Sequence, residues 1–131
     1  MTPRWTAALL AVGLPAAVAL LCQDFPPEFS RARSGDVLQI DPRHYLLELE
    51  NARVRVLRAR LGPDVAVPMH DDRSAMIVAV SEVHIRFTRP DKRTFDLHMA
   101  AGEIRWGYAD THSIRNLIDR PAEYLIIELK K

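Results

Sequence analysis

From residue 44 to the C-terminus the chain is a series of short runs in which apolar and polar side chains alternate. "VHIRFT" sets Val83, Ile85 and Phe87 against His84, Arg86 and Thr88, and "TFDLHMA" and "IRWGYA" continue the pattern. A repeat of two is the period of a β-strand, whose successive side chains point to opposite faces. "SAMIVAVS" is apolar throughout, as in a strand covered on both sides. The runs are separated by turn formers: Gly62-Pro63-Asp64, "RPDKR", Ala101-Gly102-Glu103 and Asp119-Arg120-Pro121. No stretch after Pro42 keeps a helical period over roughly 11 residues. Short strands at regular spacing predict an all-β sandwich or barrel. In "VRVLRARL", Val54, Val56 and, less regularly, Leu57 and Ala59 stand against Arg53, Arg55, Arg58 and Arg60. The arginines read as a solvated strand face, with Arg55 free to bind a carboxylate if the register turns it inward.

The first 22 residues differ in kind. Arg4 precedes an uncharged apolar run, residues 7–21, broken by Gly13 and Pro15. It is shorter than the roughly 20 residues a membrane span needs and suits a signal peptide, or else an uncleaved N-terminal anchor. Ala17-Val18-Ala19 has the spacing of a cleavage site, and a cut near Cys22 is the alternative, although Leu21 is bulky for a lipoprotein site. The expected location is therefore exported, periplasmic or secreted, with no membrane contact beyond such an anchor. Residues 23–42 hold three prolines and read as a linker with one short strand at Val37–Ile40. Residues 43–131 remain as one domain. Lys+Arg 18 against Asp+Glu 17 leaves a net charge of +1 and no long basic run, so no nucleic-acid surface is expected. Cys22 is the single cysteine, which excludes an intrachain disulfide and a cysteine zinc site.

"ENARVRVLRARLGPDVAVPMHDD" and "AGEIRWGYADTHSIRNLIDRPAEYLIIELK" resemble the two motifs of the cupins, over roughly residues 43–130. Gly62 and His70 match the first motif; Gly102, His112 and Asn116 match the second. The chain is most similar to small single-domain bacterial cupins. The resemblance implies a single jelly-roll barrel, or double-stranded β-helix. It also allows a homodimer formed by paired sheets. Asp72 stands where the first motif has its second His, Met76 and Ile77 where its Glu would fall, and "GYADT" where the second has Pro-x-Gly.

His70 and Asp72 are two apart, so on a strand both point the same way, and Asp71 points outward. If His112 lies on a neighbouring strand, two imidazoles and one carboxylate converge. That set suits a divalent first-row metal: Fe(II), and also Mn, Zn or Ni. The rival reading is a polar loop, His-Asp-Asp-Arg, at the mouth of a metal-free barrel. Trp106 reads as core or barrel lining beside the pocket, and Asn116 as a neighbour of a ligand imidazole. His44, His84 and His98 are expected to be exposed. No serine sits in a nucleophile elbow and no glycine loop could cradle phosphate, so no catalytic residue is assigned. Two functions fit: a barrel that binds a small-molecule ligand through His70, Asp72, His112, Trp106, Asn116 and Arg55, or an oxygenase-like or isomerase-like metal enzyme with His70, Asp72 and His112 as ligands. A third is an interaction role for the outer sheet.

Overall fold

The computed structural model describes residues 35–131; the expected signal segment, Cys22 and most of the expected linker lie outside them. A helical turn, α1 (Val37–Ile40), precedes nine strands: β1 (Tyr45–Glu50), β2 (Val54–Leu61), β3 (Ala66–Asp72), β4 (Ala75–Ala79), β5 (Val83–Thr88), β6 (Thr94–Met99), β7 (Ile104–Gly107), β8 (Asp110–Asn116) and β9 (Ala122–Leu129). They form two sheets, ordered β1-β2-β9-β4-β7 and β3-β8-β5-β6, in which every neighbouring pair is antiparallel. The expected turns are where the sequence puts them. Gly102 at φ 86°, Asp64 at φ 58° and Lys92 at φ 67° take the left-handed conformation that tight reversals need.

The core lies between the sheets. Leu57, Ala59 and Leu61 of β2 and Tyr124 and Ile126 of β9 face Val67 of β3, Ile114 of β8 and Val83, Ile85 and Phe87 of β5, all buried. The two layers are held mainly by removing these side chains from water, roughly 1.5–3 kcal/mol for each large aliphatic one. The outer face of the five-stranded sheet carries apolar side chains, with Leu46, Leu49, Ile104 and Leu129 each more than half exposed, alongside the Arg58 ion pairs to Glu48 and Glu123.

Two local expectations are corrected. Val37–Ile40 is helical, not extended. Asp36 caps the turn by accepting from the Leu38 amide at 2.9 Å, and Val37 is buried, so this part of the expected linker packs onto the domain. Gly35, at φ 89°, brings its carbonyl to the Asp71 amide at 2.8 Å, and any Cβ there would collide with the Asp71 carboxylate. In β2 the inward set is Arg55, Leu57, Ala59 and Leu61, while Val54 and Val56 face outward. Arg55 is therefore buried, not part of a solvated basic strip. Its charge is met by Asp36, 2.6 Å from Nη2, and by Glu128, opposite it on β9 and 3.3 Å from Nε.

Candidate metal centre

His70 and Asp72 lie on β3 and His112 on β8, and these strands are adjacent, with His70 directly opposite His112. Val67 and His70 both point inward although they are three residues apart. A register irregularity between them allows this: Pro68 and Met69 both face out, and Pro68 lacks the N–H a regular ladder would use. Strict alternation from Val67 would have turned His70 to solvent.

The ligand atoms of His70, Asp72 and His112 all lie within 4.8 Å of one another. His112 Nε2 is 2.9 Å from Asp72 Oδ2, and His70 Nε2 is 3.4 Å from Asp72 Oδ1. Neighbouring ligands on a first-row ion, bound at about 2.0–2.2 Å, stand about 3 Å apart, so the two distances to Asp72 match those around one ion. The imidazole rings are 5.1 Å apart and perpendicular, and Phe87 packs edge-on against His112 at 4.5 Å.

The proton positions follow from the partners. His70 Nδ1 is 2.8 Å from the Pro68 carbonyl, which only accepts, so this nitrogen carries the proton. His112 Nδ1 is 3.0 Å from the Asp110 carboxylate, and the same holds there. With Nδ1 so engaged, each ring turns its Nε2 toward the Asp72 carboxylate, which also only accepts. Acceptors facing an acceptor require a proton or a cation between them. His70 Nε2 is buried and has no hydrogen-bond partner. Burial works against the His70 imidazolium, but the Asp72 carboxylate beside it and the Pro68 carbonyl outweigh it and raise its pKa. Burial also works against the Asp72 carboxylate, yet the His112 and His70 imidazoles bring its pKa down to about 2. Protons on these nitrogens or one divalent ion can stand between them and the carboxylate, and the ion serves all three groups at once. The donor set and the orphaned nitrogen therefore fit a metal.

Asp72 and His112 border a cleft of about 260 Å³ between the sheets, lined by Ile77, Phe87, Phe95, Ile114 and Ile126 among others, with Arg73, Arg89 and Arg105. Ile77, in the stretch where the cupin Glu would fall, contributes an apolar wall and not a fourth ligand. Tyr124 lines the same cleft, and its phenol meets that of Tyr45 at 3.1 Å; burial raises both phenol pKa values.

The remaining expected site residues divide. Asp71 points outward and accepts from Thr111 at 2.6 Å. Trp106 is not core: it is 48% exposed and stands where the cleft opens. Asn116 is not a ligand neighbour. It is 1% exposed, its amide NH₂ donates to the carbonyls of Leu61, Gly62 and Arg120, and its Oδ1 accepts from the Ile118 amide. It ties the β2–β3 turn to the β8–β9 turn. Arg55 is buried among Asp36 and Glu128 and does not line the cleft. The residue that orients His112 is Asp110, two positions before it on the same strand face, a spacing visible in "DTH". His44 bonds Asp41 at 2.7 Å, and His84 and His98 stack on the outside at 4.7 Å.

No protein-family model matches the sequence, and no curated protein matches it. Solved structures do match. A cupin domain from Bordetella pertussis Tohama I aligns over 66% of this chain and 92% of its own, with TM-score 0.61 and 18% identity. A cupin superfamily protein from Desulfitobacterium hafniense covers 82% of this chain and 96% of its own, with TM-score 0.47 and 16% identity. The polyketide cyclase RemF from Streptomyces resistomycificus covers 66% of this chain and 64% of its own, with TM-score 0.49 and 14% identity. Identities this low speak to architecture alone, and the Bordetella domain carries that comparison: this chain has the cupin jelly-roll fold.

Proposed function

We propose that the protein binds one divalent first-row metal through His70, Asp72 and His112 and holds a small molecule beside it in the cleft. The observation that carries this reading is the buried, unpartnered Nε2 of His70, aimed at a carboxylate that His112 also faces. A bound ion would supply a Lewis acid with coordination positions to spare. The chain's own residues do the rest. Pro68 and Asp110 hold the two rings with Nε2 inward, Phe87 packs against His112, and the apolar cleft excludes water from a ligand. The N-terminal segment supports export of the domain; a mature protein that still carries residues 1–22 and fractionates with cytosol would contradict that part.

Titration of chelator-treated full-length protein tests the site. Zn(II), Ni(II) or Mn(II) should raise the melting temperature in a saturable way, because a ligand that binds only the folded state stabilises it by about 2.7 kcal/mol at a hundredfold excess over Kd. His112→Ala should abolish the rise. A melting temperature indifferent to all of these metals overturns the reading.

A further inference from the structure

Arg73 follows Asp72 directly and lines the same cleft. The charged groups around that cleft are unequally engaged. Asp72 faces the two imidazoles, Asp110 takes His112 and Arg89, and Asp96 is held by Arg86 through two hydrogen bonds. Arg89 is thereby committed to Asp110 and also lies over the Phe95 ring at 4.7 Å; Arg105 reaches Glu103 at 3.0 Å. Arg73 has no such partner. Its nearest carboxylate is Glu128, whose Oε2 stands 4.0 Å from Nη1 and is shared with Arg55 at 3.3 Å. Arg73 Nε is buried and makes no hydrogen bond.

Charge balance points the same way. Three arginines and three aspartates line the cleft and cancel, and the buried Arg55, Asp36 and Glu128 behind Arg73 add one cation and two carboxylates. A divalent ion on the three ligands would leave an excess of positive charge facing mostly apolar walls. Such an excess favours an anionic ligand over a neutral one. A guanidinium with unused donors is the group best shaped to receive a planar carboxylate.

We infer that the cleft takes a small monocarboxylate with an apolar or aromatic body, its carboxylate received by Arg73 beside the metal ligands and its body set among Ile77, Phe87, Phe95 and Ile126. The inference deepens the proposed function and rests on the cleft being a ligand site, but Arg73 does not need the metal to act. It also moves to Arg73 the carboxylate-binding role that the sequence suggests for Arg55, which Asp36 and Glu128 have already claimed.

The test compares 3-phenylpropanoate with its neutral amide, 3-phenylpropanamide, by calorimetry on full-length protein, both Zn(II)-loaded and EDTA-treated. The carboxylate should bind at least about tenfold more tightly than the amide, the factor expected of one charge-assisted hydrogen-bonded pair. Arg73→Gln should remove that preference and leave amide affinity within about threefold, while Arg73→Lys, which keeps the charge, should retain part of it. Equal binding of the two probes, binding of neither, or a preference that survives Arg73→Gln overturns the inference. A carboxylate preference in protein that takes up no Zn(II) would sink the metal reading alone. Stoichiometric Zn(II) without a carboxylate preference would sink this inference alone.

Discussion

At the scale of single residues, spacing and partnership carry different information. The two-residue interval between His70 and Asp72 announces a shared strand face, and the structure puts both on it. The same interval between Asp110 and His112 was equally legible and identifies the group that holds His112 in its tautomer. Asn116 shows the opposite case. Its position in a motif suggests a site role, yet its amide is consumed by three carbonyls and one backbone amide of two turns. Asn116→Ala should therefore destabilise the protein by about 2–4 kcal/mol in chemical denaturation, because buried carbonyls lose their donors, and should leave metal stoichiometry unchanged. A stable variant with lost metal would reverse that assignment. The Tyr45–Tyr124 pair has a pH signature. Both phenols are buried and titrate above their ordinary value of 10.0. The unfolded chain gives up these protons first, so the stability they contribute is intact below about pH 10 and is lost as pH rises beyond it. Denaturation midpoints across that window should fall, and Tyr45→Phe with Tyr124→Phe should flatten the fall.

At the scale of elements, periodicity revealed the strands and the turn formers revealed their ends, because both signals are local. What stayed hidden is non-local. The phase of β2 depends on its partner: Arg55 faces in because Glu128 lies opposite it on β9 and Asp36 reaches it from the chain before β1. Alternation alone favoured the valines. The irregularity at Pro68 and Met69, which brings His70 inward, is legible only as a proline inside a strand. Helix α1 was hidden for a third reason: four residues are too few to show a helical period, and its evidence is Asp36 as cap and Val37 as anchor. Asp36→Ala removes that cap and also one of the two carboxylates facing the buried Arg55, so it should lower stability by about 2–5 kcal/mol. For a domain of this size that is a fall of roughly 10 °C or more in a thermal melt. Asp36→Asn, which keeps a cap but not the charge, should recover only the smaller share; full recovery would show that the ion pair contributes little.

At the scale of the whole molecule, two sheets enclose a core at one part of their interface and leave a cleft at another, with the His70–Asp72–His112 cluster where the cleft meets β3 and β8. The architecture puts His70 directly opposite His112 from a distant part of the chain, which no local pattern in the sequence could state. Three inward ligands, two oriented imidazoles and a cleft reaching two of those ligands make metal binding the claim on which the functional reading stands. Elemental analysis of full-length protein, purified without a metal-affinity tag, tests it most directly. The expected result is about one equivalent of a first-row divalent metal per chain, lost in His70→Ala while the variant keeps its strand content. Metal well below a tenth of an equivalent, unchanged by dialysis against Fe(II), Mn(II), Zn(II) or Ni(II), would contradict it.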